Sequence, residues 1–155
     1  MNRRAIIVGL KSYKLLDSEI NFLKERKPLG VILFRRNIKN KRQTIILIKK
    51  IKKILGDNSM ILIDQEGGRV SRLNEKEWPS FPPCNYFGKI ANFNINKAKL
   101  LVYKNFKDIG RILNELGINF NCAPVLDLKI KSANKVIGDR AFSRNPKIIT
   151  KLAIE

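Results

Sequence analysis

Apolar residues in this chain form two alternating patterns, short continuous runs and longer stretches that repeat every three or four positions. The runs are Ala5–Leu10, Gly30–Phe34, Met60–Ile63 and Ile118–Leu128. Runs rich in Ile, Val and Leu without polar alternation are the pattern of strands covered on both faces, and all four are predicted to be buried strands. Between them the period changes. Asp17 stands as a helix N-cap with Glu19 in the first turn; Ile20 and Leu23 mark an apolar face, and Pro28 and Gly30 end the helix. Lys41–Leu55 sets Ile45, Ile48, Ile51 and Leu55 on one stripe opposite a lysine-rich face, with Gly56 as the stop. Asn96–Leu116 repeats the device through Val102, Phe106, Ile109, Leu113 and Leu116, and Gly117 follows. Pro146 opens a last helical pattern with Ile148, Ile149 and Leu152. The stretch from Gly67 to about Ile95 has no period and carries Trp78, Pro79, Phe81, Pro82 and Pro83. Loops of that length are usually functional or hold small elements of their own, and Trp78–Pro83 is expected to pack the loop. Residues 129–145 read as a second loop.

The order is therefore βαβαβ-loop-αβ-loop-α. Apolar strands separated by helices pair in parallel, which makes the fold class α/β. Four βα units amount to the N-terminal half of a (β/α)8 TIM barrel, a fold that needs roughly 250 residues. Residues 1–155 are expected to form one partial, truncated barrel domain with no interdomain linker. Half a barrel leaves its first and fourth strands as unpaired edges, so the isolated chain is expected to aggregate, dimerise or stay molten.

Composition changes this picture only slightly. At 44% hydrophobic the chain is not globally disordered, and 32 Lys and Arg against 13 Asp and Glu give a net charge of +19. Such an excess ordinarily suggests a polyanionic partner. Here it is mostly Lys, scattered, and accompanied by abundant Ile and Asn. Basic-aromatic interleaving, zinc-finger spacing and an RNA-binding sheet signature are all missing, so nucleic acid is not the expected partner. Cys84 and Cys122 match no metal or redox spacing and fit a reduced cytosolic setting. The apolar run after Met1-Asn2-Arg3-Arg4 is too short for a signal segment, and no run approaches membrane-spanning length. A cytoplasmic, membrane-free protein is expected. The chain has no histidine, which excludes histidine bases and histidine metal ligands within it.

Candidate chemistry concentrates in Met60–Arg72, MILIDQEGGRVSR. Two acids, two glycines and two arginines follow a buried strand within the nine residues 64–72. An α/β protein presents ligand sites at that edge of its sheet. Asp64, Glu66 and Asp127 all follow strands and are expected near one rim. If the strand continues, Asp64 and Glu66 share a face at about 6–7 Å, a separation compatible with glycosidase carboxylates or with holding Mg²⁺. Arg69 and Arg72 nearby favour ionised carboxylates, which suit recognition of sugar hydroxyls better than proton donation. Gly67-Gly68 offers a weak phosphate-cradle signal without a dinucleotide or P-loop pattern. Gly138-Asp139-Arg140 falls where a fourth βα loop would reach the same rim.

Together, GVILFRRN (30–37), LIDQEGGRVSRL (62–73), GINFNCAPVLDL (117–128) and VIGDRAFSRNP (136–146) resemble the cytoplasmic β-N-acetylhexosaminidases of glycoside hydrolase family 3, which bacteria use in peptidoglycan recycling. The likeness runs from near Ile6 to the C-terminus, and DQEGGRV with IGDRAF is specific in combination. It implies a (β/α)8 barrel, in agreement with the periodicity. It also implies removal of a non-reducing N-acetylglucosamine from an anhydro-muropeptide with retention of configuration, no metal or organic cofactor, and a monomeric full-length form. By motif, Asp64, Arg72 and Arg140 are the implied substrate-binding residues, with Glu66, Arg69 and Asp127 as supports. No catalytic residue is implied within this chain. The family's Lys-His-Phe-Pro-Gly-His-Gly segment, its acid/base His-Asp pair and its nucleophilic aspartate are expected beyond Glu155, so the 155 residues alone are expected to be inactive. Two alternatives stay open: part of a family 3 β-glucosidase, and a non-catalytic sugar- or polyanion-binding protein.

Overall fold

Four parallel strands hydrogen-bond in sequence order: β1 (Arg4–Gly9), β2 (Pro28–Leu33), β3 (Met60–Ile63) and β4 (Phe120–Asn121). The computed structural model describes residues 3–73, 76–130 and 135–155; residues 74–75 of the long irregular stretch and 131–134 of the 129–145 loop lie outside the described residues. Backbone proximity divides the chain into two units. The first comprises Met1–Asp64, Arg72–Pro79 and Arg111–Asn121, and the second Gln65–Ser71, Ser80–Gly110 and Cys122–Glu155. The expected α/β class and parallel sheet are both observed.

In the first unit the sheet register runs Gly9 to Ile32, Leu33 to Ile63, and Ile63 to Asn121. Val31, Leu33, Ile61 and Ile63 are fully buried, as doubly covered strands require. Helix α1 (Asp17–Arg26) begins one residue earlier than its capping pattern suggests, with Leu16 rather than Asp17 at the cap position. Glu19, rather than Asp17, closes its start. The Leu16 N–H donates to Glu19 Oε2 at 2.9 Å, and the Lys11 N–H donates to Oε1 at 2.8 Å. Helix α2 (Lys41–Leu55) has the expected bounds, and the Asn40 side chain accepts from the Gln43 N–H. Its buried face is Thr44, Leu47, Ile48, Ile51 and Leu55, rotated so that Leu47 rather than Ile45 faces inward. This face packs on α1 and β2.

Two strands depart from expectation. β1 lies at the sheet edge expected of the first strand, but it is not the buried strand its apolar run suggests, with Ile6 at 43% and Ile7 at 37% exposure. Apolarity alone does not report whether a strand has neighbours on both sides. The run Ile118–Leu128 contributes only Phe120–Asn121 to the sheet. Pro124 has no N–H for a ladder and follows a cis peptide, and the chain leaves the sheet before it.

The second unit holds α3 (Cys84–Ala91), most of α4 (Ile95–Leu116) and α5 (Pro146–Ala153). Helix α4 continues into the first unit from Arg111. Helix α3 lies inside the stretch that carries no sequence period, because eight residues give too few turns to reveal one. Asn94 caps α4 by accepting from the Lys97 N–H at 2.9 Å. The core of this unit is Cys84, Phe87, Ala91, Ala98, Val102, Phe142, Ile149 and Leu152. Among the described residues no helix is long and apolar enough to cross a membrane.

Two glycines make opposite predictions. A Cβ on Gly88 would lie 1.6 Å from the carbonyl oxygen of Phe142, whereas one on Gly110 meets nothing within 4 Å. Gly88→Ala is expected to cost about 3 kcal/mol or more, through forced displacement of backbone. Gly110→Ala is expected to add about 0.5–1 kcal/mol, since Ala is the better helix former. Urea unfolding of both variants checks the pair of signs.

The cysteines differ in the same way. Cys84 is 1% exposed, and burial followed by the negative charge of Glu66 pushes its thiol up to about 12, while Cys122 is exposed. At pH 8, iodoacetamide should label Cys122 within minutes and leave Cys84 untouched until denaturant is added, as read by peptide mass spectrometry.

Candidate functional site

The sheet register decides which side chains meet beyond the strands. Because Leu33 pairs with Ile63, the residues that follow them, Phe34 and Asp64, emerge at the same level. Asp64 accepts from Arg72 in an ion pair, Nη2 to Oδ2 at 3.0 Å, with the two side chains 23% and 25% exposed. The Arg72 guanidinium lies over the Phe34 ring, 5.8 Å from its centroid, and that of Arg36 lies over the same ring at 4.6 Å. The turn that carries Arg36 is tied down by Asn37, which is wholly buried. Asn37 Oδ1 accepts from the Phe34 N–H at 2.8 Å, and its Nδ2 donates to the carbonyls of Leu10 and Ser12 at 3.0 and 2.8 Å. Asp64 and Arg72 are therefore brought together, as the sequence suggested. An ionised carboxylate held by a guanidinium at a strand end can accept hydrogen bonds from hydroxyl groups.

The second unit contains a separate group of ion pairs. Gln65–Ser71 folds back on itself, with the Glu66 N–H donating to the Val70 carbonyl at 3.0 Å and Gln65 Nε2 donating to Ser71 Oγ at 2.9 Å. Gly67 and Gly68 have φ of 95° and 57°, and a Cβ on Gly67 would sit 2.3 Å from the Pro82 carbonyl oxygen. Both positive φ and close approach explain the pair of glycines. The Gly68 N–H donates to the Phe81 carbonyl at 2.7 Å, so the turn is built against protein rather than opened as a phosphate cradle.

Glu66, 3% exposed, accepts both Arg140 Nε at 2.8 Å and Nη2 at 2.7 Å. Arg69 donates to Asp139 at 2.8 Å and to the carbonyls of Val136 and Ile137. The 65–71 loop and the 136–140 segment, whose end is a 3-10 turn over Gly138–Arg140, are thus joined by two ion pairs. A bidentate carboxylate–guanidinium pair fixes both orientation and distance. Removing one partner of such a buried pair typically costs about 3–5 kcal/mol, because the other charge is left uncompensated.

This geometry corrects one reading. Asp64 and Glu66 do not form a carboxylate pair on a continuing strand: β3 stops at Ile63, and both Glu66 oxygens are taken by Arg140. Asp127 is exposed. Phe34, Asn37 and Gln65 are site residues that the sequence does not single out, although all three lie within the motifs 30–37 and 62–73 that follow or include a buried strand.

The profile of the glycosyl hydrolase family 3 N-terminal domain matches residues 6–155. The β-hexosaminidase of Thioalkalivibrio sulfidiphilus is 32% identical over 99% of this chain and 44% of its own length. β-Hexosaminidase A of Pseudoalteromonas piscicida is 36% identical over 90% of this chain and 24% of its own. Among solved structures, NagZ from Neisseria gonorrhoeae in complex with zinc ion superposes with a TM-score of 0.92 at 31% identity. That match covers 98% of this chain and 45% of the NagZ chain. The same enzyme in complex with N-trifluoroacetyl-D-glucosamine gives a TM-score of 0.91 at 31% identity, over 98% of this chain and 44% of that one. The chain thus spans under half the length of the relatives it matches. On the family match and the parallel sheet together, the chain belongs to glycosyl hydrolase family 3, within its N-terminal domain.

Proposed function

We propose that the chain supplies the sugar-holding part of a retaining β-N-acetylhexosaminidase that removes N-acetylglucosamine from anhydro-muropeptides during cytoplasmic cell-wall recycling. The observation that carries this reading is the Asp64–Arg72 ion pair directly beyond β3, in a chain whose relatives are named β-hexosaminidases. The complex of Neisseria gonorrhoeae NagZ with N-trifluoroacetyl-D-glucosamine supports a 2-acetamido sugar over a plain glucoside. In this reading Asp64 accepts hydrogen bonds from sugar hydroxyls while Arg72 holds its carboxylate in place and donates to sugar oxygens. Arg140 is, by its motif, a third proposed substrate-binding residue, its guanidinium oriented by Glu66 within the second unit. The groups that protonate the leaving oxygen and attack the anomeric carbon are assigned to segments outside these residues, so the chain alone binds sugar and does not cleave it. No cofactor is invoked, and the complete enzyme is proposed to act as a monomer.

The 155-residue chain should release no p-nitrophenol from p-nitrophenyl N-acetylglucosaminide above a heat-killed control; release would overturn the division of labour. Joined to the remaining segments of a full-length relative, Asp64→Ala or Arg72→Ala should raise KM and lower kcat/KM. A charged hydrogen bond is worth about 1.5–3 kcal/mol, equivalent to roughly 10- to 150-fold. An unchanged kcat/KM in both variants removes these residues from the sugar site.

A further inference from the structure

We infer that Phe34 is a positioning residue for sugar recognition: its ring sets the plane of the Arg72 guanidinium, and Asn37 sets the ring. The inference rests on the sugar-holding role proposed for Asp64 and Arg72, and all of its contacts lie within the first unit.

The contact from Arg72 Nη2 to Asp64 Oδ2 at 3.0 Å fixes a distance. That contact alone does not fix the tilt of the guanidinium, and tilt decides where its N–H groups point. Phe34 offers a flat π surface with the Arg72 guanidinium over it at 5.8 Å from the ring centroid. A cation over a ring is held electrostatically by the negative π face, and a planar guanidinium can stack there without giving up its in-plane hydrogen bonds.

The residue that carries the ring is in turn held at its backbone. The Phe34 N–H donates to Asn37 Oδ1 at 2.8 Å, and the buried Asn37 amide donates to Leu10 and Ser12 carbonyls. Arg36 covers the ring at 4.6 Å while its Nε donates to the Leu10 carbonyl at 2.8 Å. A line of fixed contacts therefore runs from the carbonyls after β1 through Asn37 and Phe34 to Arg72 and Asp64. Packing alone asks only for an apolar group at position 34. Cover for a guanidinium asks for a ring, and that difference makes the role testable.

Three variants separate the two, Phe34→Leu, Phe34→Tyr and Phe34→Trp. The first readout is the rate at which phenylglyoxal modifies Arg72, followed by peptide mass spectrometry with exposed Arg144 as internal reference. Loss of the ring should speed modification about 3- to 10-fold, the range expected for a partly desolvated cation–π contact. Tyr should leave the rate near the parent's, and Trp, the stronger π surface, should slow it. The second readout is N-acetylglucosamine binding by equilibrium dialysis, where Phe34→Leu should raise Kd by the same factor and Phe34→Tyr should not. Equal Arg72 reactivity in parent and Phe34→Leu overturns the positioning role. Should Phe34→Leu fail to fold, a Phe34→Trp variant with no slowing overturns it instead. A parent chain that binds no N-acetylglucosamine counts against the sugar-holding role, and the Arg72 rates then decide the positioning role independently.

Discussion

Parallel pairing of β2 with β3, with Leu33 opposite Ile63, is the constraint from which the Asp64 site follows. Side-chain direction alternates along a strand, so a slip of one residue would turn Asp64 and Phe34 to other faces and separate Arg72 from both. The register is enforced from below. Val31, Leu33, Ile61 and Ile63 are fully buried, and the buried face of α2 packs on β2. Burying side chains of this kind is worth about 1.5–3 kcal/mol each, so a slipped register that exposed several would not compete.

Around that frame, three acids serve different ends. Glu66 is buried and bound at both oxygens by Arg140, which suits it to holding a segment and removes it from proton transfer. Asp64, about one-quarter exposed and paired with Arg72, keeps access to solvent. Arg69 and Asp139 repeat the first arrangement nearer the surface, where solvent screening makes the pair worth less. The same residue types thus serve different ends because burial differs, although their sequence spacing gives no hint of it.

Much of the fold is legible from periodicity. The bounds of α2 and β3, the apolar stripe of α4 and the parallel order all follow from local repeats of apolar residues. The misreadings have physical causes. β1 is apolar yet exposed, because exposure depends on a neighbouring strand rather than on composition. β4 shrinks to two residues because proline cannot continue the ladder and the hydrophobic run conceals its effect. Helix α3 is short and follows three prolines, so no period could announce it.

At the site the division is sharper. The sequence alone determined that a buried strand ends in acids, glycines and arginines, because that is a property of neighbouring residues. It also carried the motifs by which the family is identified. Tertiary structure alone decided the partners: Arg72 to Asp64 across eight positions, and Arg140 to Glu66 across 74. Several arginines stand within reach of each acid along the chain. Which one closes is set by the register of the sheet in the first case and by the fold of the 65–71 loop in the second. Both depend on contacts distant in sequence, so the spacing of residues could suggest these pairs but not choose them.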